Sequence, residues 1–208
     1  MEKEIYIIRH GETDFNRLGI VQGRGVNSDL NPKGIAQGEA FYEYYKHIPF
    51  DKVYTSSLKR THQTVKKFID SNLPWEQLDG LDELSFGVWE GADNKGDWQT
   101  AFADVNACWL KGECDRAFEN GESPNQAALR LKAAMDTIVA NTEEKTVLVC
   151  MHGRALLILL CLLYETPLSQ MSTYGHQNTG LYRVQYANGK YKVLQVNDAA
   201  HLAALSVV

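Results

Sequence analysis

Short runs of apolar residues alternate along this chain with longer stretches whose apolar positions recur every three or four residues. Short apolar runs are typical of buried strands, and the longer spacing is typical of helices with one buried face. Strands are predicted at 5–8, 52–55 and 146–150, and helices at 32–45, 58–69 and from residue 155 onward. The alternation predicts an α/β fold, namely a three-layer sandwich with a mostly parallel sheet and helices on both faces.

Local signals mark where several of these elements begin and end. Asn31 is placed to cap a helix whose first residue is Pro32, and Ser123 with Gln126 has the spacing of a capping box. Near the end of the chain, the pair Asn188-Gly189 separates two runs rich in apolar residues, which predicts a β-hairpin. This hairpin would add an antiparallel edge strand to the sheet.

Composition limits the classes of protein that the chain can represent. Its 208 residues suffice for one domain with a sizeable core, and no repeat or linker divides them, so we predict a single domain over 1–208. The net charge of -5 disfavours a nucleic-acid partner. The longest apolar run, 155–164, is about half as long as a membrane span, so no membrane partner is expected. The four cysteines form no C-x-x-C pair, which favours reduced thiols and a cytoplasmic location.

Charged and imidazole side chains follow each of the three predicted strands. Arg9 and His10 come directly after the first strand, Arg60 lies just past the second, and His152 follows the third. Because ligands bind at the carboxyl ends of strands in an open α/β sheet, these side chains are expected in one crevice. Guanidinium groups match phosphate oxygens in pairs, and a neutral imidazole can attack phosphorus. Each residue alone is more often structural, but the set predicts an anion site that holds a nucleophile.

Several segments resemble the sequence blocks of the histidine phosphatase superfamily, which includes the cofactor-dependent phosphoglycerate mutases. The segment Arg9-His10-Gly11 looks like the R-H-G signature of that superfamily. Further blocks follow in the family order, and they are Asn16 with Gln22-Gly23, the Leu30-Asn31-Pro32 segment, residues 56–64, residues 81–91, and Met151-His152-Gly153. Mainly residues 92–120 and the C-terminal part of the chain carry no motif. The order and number of the blocks make the resemblance specific.

The resemblance implies a role for each matched residue. It makes His10 the nucleophile that carries the phosphoryl group, and it makes Glu83 the acid and base that serves the leaving group and water. Arg9, Arg60 and His152 would complete the catalytic set by holding the phosphoryl oxygens. The implied substrate-binding positions are Arg9, Asn16, Gln22, Gly23, Arg60, His152 and Gly153. Gly11 and Gly153 would let the backbone bend sharply and approach a ligand. No metal or organic cofactor is implied, since the arginines supply the positive charge.

The superfamily contains both hydrolases and mutases, so the choice depends on the site. The mutase branch carries extra cations in an insertion, whereas residues 92–122 here hold three cations against seven acids. We therefore predict a phosphomonoester hydrolase that acts on a small metabolite, and residues 92–122 as an insertion or lid over the site. A phosphoglycerate mutase is the alternative, and an inactive binding protein of the same fold is a minor one. A phosphoprotein substrate, the identity of the phosphomonoester and the oligomeric state stay open.

Two further features leave two interpretations open. Arg154 either reaches a second anionic group on the substrate or points outward from the first turn of its helix. Aromatic and apolar residues recur at helical spacing within 92–122, at Trp98, Phe102, Val105 and Trp109. They form either a wall of the substrate site or, as such stripes more often do, the buried face of a helix.

Overall fold

A computed structural model describes residues 2–93 and 95–207 of the chain, and these form one six-stranded sheet. The strands are β1 (Glu2–Arg9), β2 (Lys52–Thr55), β3 (Trp75–Gln77), β4 (Thr146–Met151), β5 (Leu181–Ala187) and β6 (Lys190–Asp198). Their order in the sheet is β3-β2-β4-β1-β5-β6. The first four of these pair in parallel, and the terminal hairpin β5–β6 joins β1 in antiparallel fashion. The sheet is therefore mostly parallel with an antiparallel edge, as predicted.

Helices cover both faces of this sheet. They are α1 (Asp14–Leu18), α2 (Pro32–Tyr45), α3 (Lys59–Thr64), α4 (Lys66–Asp70), α5 (Asp97–Leu110), α6 (Pro124–Ala140) and α7 (Gly153–Leu163). Apolar residues of α2 and α4 form one hydrophobic cluster with the sheet, and those of α5, α6 and α7 form another. The helices thus form two layers with the sheet between them, which confirms the three-layer α/β fold.

The two central strands contribute side chains to both clusters. In β1, Ile5 and Ile7 pack with α6 and α7, whereas Tyr6 and Ile8 pack with α2 and α4. In β4, the odd-numbered residues from 147 to 151 likewise pack with α6 and α7, and Leu148 and Cys150 pack with α2 and α4. Because both faces of β1 and β4 are covered, the two strands appear in the sequence as continuous apolar runs without polar alternation.

Most of the local signals have the structural effect that was predicted from them. The Asn31 side chain accepts a hydrogen bond from the backbone N–H of Gly34 at 2.8 Å and so caps α2. Ser123 and Gln126 form the reciprocal hydrogen bonds of a capping box at the start of α6. Asn188 and Gly189 both have positive φ, as the two-residue turn of the hairpin requires.

The structure differs from the predicted elements in three places. The helix predicted over 58–69 is divided into α3 and α4 at Val65, where φ of -103° and ψ of 15° interrupt the helix. Strand β3 and helix α1 were not predicted, because 3 and 5 residues are too few to show a period in the sequence. Strand β3 matters for the site because it precedes the segment that carries Glu83.

Helix α7 has 11 residues, of which Arg154 and Leu162 are the two that are not buried. It starts directly after the carboxyl end of β4, so the positive end of its dipole lies at the crevice of the sheet. In the part of the chain that the structure describes, no helix is long and apolar enough to cross a lipid bilayer.

Candidate active site

Each of the four parallel strands is followed at its carboxyl end by a residue that was predicted for the site. Strand β1 leads to His10, and β2 leads into α3, which carries Arg60. Strand β3 leads through a short 3-10 turn to Glu83, and β4 leads to His152. The strand order places these segments side by side, and the rings of His10 and His152 have centroids 5.2 Å apart. The fold therefore gathers at one sheet edge residues that are far apart in the sequence.

His10 is buried, and one hydrogen bond determines which of its ring nitrogens carries the proton. Its Nδ1 lies 2.7 Å from the carbonyl oxygen of Gly11, and since a carbonyl only accepts, Nδ1 must donate. Nε2 then keeps its lone pair, and it has no hydrogen-bond partner among the described residues. Burial, together with the charges of Arg60 and Arg9, holds the pKa of His10 well below its ordinary value. His10 is thus a neutral imidazole with a free nucleophilic nitrogen.

Arg60 and His152 hold each other in place beneath the crevice. Arg60 is fully buried, and its Nε donates to Nδ1 of His152 at 3.2 Å while its Nη1 donates to the carbonyl of Val26 at 2.6 Å. His152 donates from Nε2 to Oγ of Ser56 at 2.7 Å. Burial lowers the pKa of Arg60 to about 10 and holds the pKa of His152 well below its ordinary value. At neutral pH, Arg60 is therefore charged and His152 is neutral.

Arg9 is oriented by a histidine that the sequence analysis did not single out. Its Nη1 donates to Nδ1 of His176 at 3.1 Å, and its Nε is buried without a hydrogen-bond partner among the described residues. Burial, then the charges of Arg9 and Arg154, lower the pKa of His176 to about 4. A neutral His176 accepts the hydrogen bond from Arg9, and the unpartnered Nε is left to donate to a ligand.

Glu83 is buried at the start of α7 and accepts three backbone hydrogen bonds. Its Oε1 accepts from the N–H groups of Leu84 and Ala155, both at 2.8 Å, and its Oε2 accepts from the N–H of Arg154 at 3.0 Å. The positive end of the helix dipole favours a carboxylate at this position. These contacts hold the Glu83 carboxyl group at the first turn of α7, directly after His152 in the chain.

The amide groups of Asn16 and Gln22 are fixed by their oxygens. Oδ1 of Asn16 accepts from the Thr13 N–H at 3.2 Å and from Nδ2 of Asn178 at 3.3 Å. Oε1 of Gln22 accepts from the hydroxyls of Thr13 and Ser28. Among the described residues, neither amide nitrogen has a hydrogen-bond partner, so both NH₂ groups can donate to an anion.

The glycines beside the two histidines are required by packing. Neither Gly11 nor Gly153 has positive φ, so their backbone does not use the left-handed region that favours glycine. A Cβ at Gly11 would lie 2.5 Å from the carbonyl oxygen of Gly34, and one at Gly153 would lie 2.8 Å from Cε1 of His176. Gly23 is buried as well, and its carbonyl accepts from Nη2 of Arg60 at 3.4 Å. These glycines make room for the site.

Three residues of the site were missed by the sequence analysis as individual contributors: Ser56, His176 and Asn178. Ser56 lies inside a recognised block, so its spacing relative to Arg60 could have identified it. Asn178 donates from Nδ2 to the carbonyl of His10 at 2.9 Å, and it comes from the segment before β5. That segment carries no block of the resemblance, and its position beside the site depends on the antiparallel pairing of β5 with β1.

Three guanidinium groups surround the crevice without an ion pair. The arginine ion pairs found among the described residues belong to Arg17, Arg24 and Arg130. Arg9, Arg60 and Arg154 have none, and burial lowers the pKa of each of the three, while the charge of Glu83 acts in the opposite direction on all of them. Three guanidinium groups that form no ion pair among the described residues make this crevice a binding site for a multiply charged anion. No group of His, Cys, Asp and Glu in the described ranges is arranged to hold a metal ion.

A cavity of about 340 Å³ adjoins the crevice. Asn16 and Gln22 line it together with Arg154, and Phe86, Trp98 and Phe102 supply aromatic walls. Val105 and Trp109 of the same helical stripe are buried in the core. The stripe of α5 is therefore divided, since one part packs inside the protein and the other part faces the cavity.

A further buried histidine, His201, lies behind the site and supports Arg9 indirectly. Nε2 of His201 lies 2.9 Å from the hydroxyl of Thr179, whose backbone N–H donates to the carbonyl of Arg9 at 2.9 Å. The His201 ring packs against Phe41 and Tyr45. Burial lowers the pKa of His201 to about 4, although Asp198 acts in the opposite direction. The neutral form of the ring is therefore the one that the folded protein accommodates.

This burial predicts that His201 makes stability depend on pH. Between pH 6.5 and about 4 the unfolded chain binds a proton at His201 and the folded protein does not, so the contribution to stability is lost as the pH falls through this range. The expected loss is about 1.4 kcal/mol in the free energy of unfolding per pH unit. Urea unfolding at pH 6.5, 5.5 and 4.5 measures it. His201→Gln should show a shallower slope than wild type, and the exposed His47→Gln should not. Equal slopes for wild type and His201→Gln would contradict the prediction.

Known proteins share this architecture and about a quarter of the aligned residues. The family model of the histidine phosphatase superfamily, branch 1, matches residues 5–199. An adenosylcobalamin/alpha-ribazole phosphatase of Salmonella typhimurium is 27% identical over 80% of this chain and 82% of its own length. A probable phosphoglycerate mutase of Proteus mirabilis is 28% identical over 98% of this chain and 97% of its own. The crystal structure of a phosphoserine phosphatase from Entamoeba histolytica with 3-phosphoglyceric acid is 27% identical, covers 96% of this chain and 99% of that one, and has a TM-score of 0.82.

The family model covers nearly the whole chain, and the strand order brings the segments that carry His10, Arg60 and His152 to one edge of the sheet. The solved phosphatase superposes over almost all of both chains. The chain belongs to branch 1 of the histidine phosphatase superfamily and is a phosphatase.

Proposed function

We propose that this protein hydrolyses a small phosphomonoester through a phosphohistidine intermediate on His10. The observation that carries the proposal is the state of His10. Its Nδ1–H donates to the Gly11 carbonyl, and its Nε2 has no hydrogen-bond partner among the described residues. Arg9 and Arg60, which lack ion pairs, lie close enough to act on the ring. A neutral imidazole in a cationic crevice is suited to attack an anionic phosphoryl group.

In the first step, the Nε2 lone pair of His10 attacks phosphorus while the ester P–O bond breaks. Arg9 and Arg60, with the free amide nitrogens of Asn16 and Gln22, stabilise the charge on the phosphoryl oxygens. The Nδ1–H bond to Gly11 supports the positive charge that develops on the ring. Glu83 in its protonated form gives its proton to the leaving alkoxide, so the alcohol departs as a neutral molecule.

In the second step, water replaces the alcohol and attacks the phosphorus of phosphohistidine. Glu83, now ionised, takes a proton from this water, the P–N bond breaks, and His10 returns to its neutral form. The three backbone N–H donors keep the carboxyl group of Glu83 in one position through both steps. His152 would contact the phosphoryl group only when Nδ1 carries a proton. In the arrangement described here that nitrogen accepts from Arg60, so His152 orients Arg60.

Hydrolysis fits the residues of this chain better than phosphoryl transfer between two substrates. A mutase must rebind a bisphosphorylated intermediate, which requires cations beyond those that hold one phosphoryl group. The cations of residues 92–122 are Lys95, Lys111 and Arg116, and all three are exposed. Because Trp98 and Phe102 of this stretch line the cavity, we propose that it covers the site as a lid that limits access to small substrates.

The proposed function is tested by measuring phosphate release from p-nitrophenyl phosphate and a panel of metabolite phosphomonoesters, with EDTA present. Metal-independent turnover is the expected result. Isomerisation of 3-phosphoglycerate only when 2,3-bisphosphoglycerate is added, without phosphate release, would show a mutase instead. If neither activity is found, the protein is a binding protein with the same fold.

The role of Glu83 predicts that its neutral analogue discriminates between leaving groups. Glu83→Gln should lower the rate of the first turnover of an alkyl phosphate by roughly 10²- to 10⁴-fold, because an alkoxide needs a proton to leave. The loss in the first turnover of p-nitrophenyl phosphate should be much smaller, since nitrophenolate leaves without a proton and before the water step that also uses Glu83. Rapid-mixing kinetics of alcohol or nitrophenolate release in the first turnover measure the two losses, with the exposed Glu119→Gln as the matched control. Equal losses on both esters would count against the acid role.

A further inference from the structure

Arg154 carries a guanidinium group that forms no ion pair among the described residues. Its Nη1 is buried and has no hydrogen-bond partner among the described residues. The guanidinium lies 5.3 Å from the ring centroid of Phe102 and 5.9 Å from that of Trp109. An arginine remains charged at any working pH, and burying its charge without a partner costs free energy. The two rings stabilise the cation only in part, so the unpartnered Nη1 is available to a ligand.

The position of this cation is set by the catalytic machinery. Arg154 lies two residues after His152, and its backbone N–H donates to Glu83. The charges of Arg9 and Arg154 both act on His176, so this ring lies near both guanidinium groups. Arg154 therefore lies next to the phosphoryl-binding crevice, and the cavity of about 340 Å³ connects it to Asn16 and Gln22.

The charge of the cavity indicates what kind of group it accepts. Arg154 is its one cationic lining residue, and no acidic side chain in the described part of the chain lines it. A single guanidinium matches the single negative charge of a carboxylate and can bind both of its oxygens. A second phosphate would bring about two charges against one cation. The aromatic walls suit the carbon skeleton that links the two anionic groups.

We propose that Arg154 and this cavity form a subsite for a carboxylate on the substrate, so that the preferred substrates are phosphate monoesters of small hydroxy acids. This inference rests on the proposed phosphatase function. An ammonium group on the substrate would lie near the positive charge of Arg154, and no acidic side chain in the described lining of the cavity would offset the repulsion. A phosphorylated hydroxy acid is therefore preferred over the matching phosphorylated amino acid.

The test compares two esters that differ only at the terminal carbon. D-3-Phosphoglycerate ends in a carboxylate, and sn-glycerol 1-phosphate, which has the same configuration at the middle carbon, ends in a hydroxymethyl group. Wild type should favour 3-phosphoglycerate in kcat/KM by roughly 10- to 100-fold, the range of a charge-assisted hydrogen bond. Arg154→Gln should reduce this preference to below about threefold. Arg154→Lys, which keeps the charge and loses the planar fork, should retain an intermediate preference.

Several controls make the result decisive. Arg116→Gln removes an exposed arginine from the same part of the chain and should keep the wild-type preference. Thermal unfolding shows whether each variant folds. If Arg154→Gln does not fold, Arg154→Lys still tests the proposal. O-Phosphoserine should react more slowly than 3-phosphoglycerate, and equal or faster turnover would overturn the exclusion of ammonium.

Two results would overturn the subsite itself. One is a wild type without preference for the carboxylate, and the other is an unchanged preference in Arg154→Gln. A preference for fructose 1,6-bisphosphate over fructose 6-phosphate that is lost in Arg154→Gln would assign the subsite to a phosphate instead. If no ester is hydrolysed at all, the phosphatase function fails, and calorimetric titration of wild type with the same two glycerol derivatives decides the subsite. Equal affinities would then reject it.

Discussion

His10→Ala is expected to lower kcat by roughly 10⁵-fold, the largest effect of any substitution considered for this protein. The reason is that both steps of the reaction pass through the P–N bond that His10 forms. The arginines and amides would still bind the ester, so KM should change far less than kcat. Phosphate release in steady state measures both constants, with p-nitrophenyl phosphate as the substrate.

The exposed His47→Ala is the matched control, since it removes an imidazole outside the site. Wild type mixed with a ³²P-labelled ester and stopped in base should retain label that acid removes, as a phosphoramidate bond does. The His10→Ala protein should retain none. Wild-type turnover in the His10→Ala protein, or label retained by it, would show that another residue is the nucleophile.

Arg60→Lys is expected to lower kcat/KM by roughly 10²- to 10³-fold although it keeps the positive charge. The planar guanidinium donates at once to His152, to the Val26 carbonyl and to the Gly23 carbonyl. A lysine ammonium has no planar fork that could keep these contacts and also face a phosphoryl oxygen. His152 would lose the donor to Nδ1 and with it a part of its fixed orientation. The kinetics are measured on p-nitrophenyl phosphate.

Arg17→Lys on α1 is the matched control, because Arg17 is exposed and pairs with Asp14. Its kinetic constants should stay at the wild-type values. A thermal unfolding temperature for Arg60→Lys close to that of wild type would assign the loss to the site rather than to folding. Wild-type activity in Arg60→Lys would show that charge alone is needed at this position and that the fork geometry is not.

The fold could be predicted to a large extent because its signals are local. The apolar runs of β1 and β4 are continuous since both faces of each strand are covered, and the helices of the outer layers start at residues such as Asn31 and Ser123 that cap by their own chemistry. The division at Val65 and the strand β3 could not be predicted. Packing against the sheet rather than local propensity decides both, and neither leaves a periodic pattern.

The site could be predicted where its residues directly follow strands or belong to recognised blocks. His10, Arg60, Glu83 and His152 were found in this way. His176 and Asn178 were not, because their place beside Arg9 and His10 depends on a pairing between β5 and β1 that joins distant parts of the chain. The steric requirement for glycine at Gly11 and Gly153 was also not predicted, because it comes from close contacts with Gly34 and His176, which are distant in the sequence.

The sequence by itself determined the order of strands and helices, the family, and the chemical types that the site would contain. Those properties depend on residue type and spacing, which are local. Only the tertiary structure decided which protonation state His10 adopts, which amide nitrogens are free, and where Arg154 points. Each of these depends on a partner supplied by another part of the fold, or on the lack of one, and burial then sets the free energy of the charged groups.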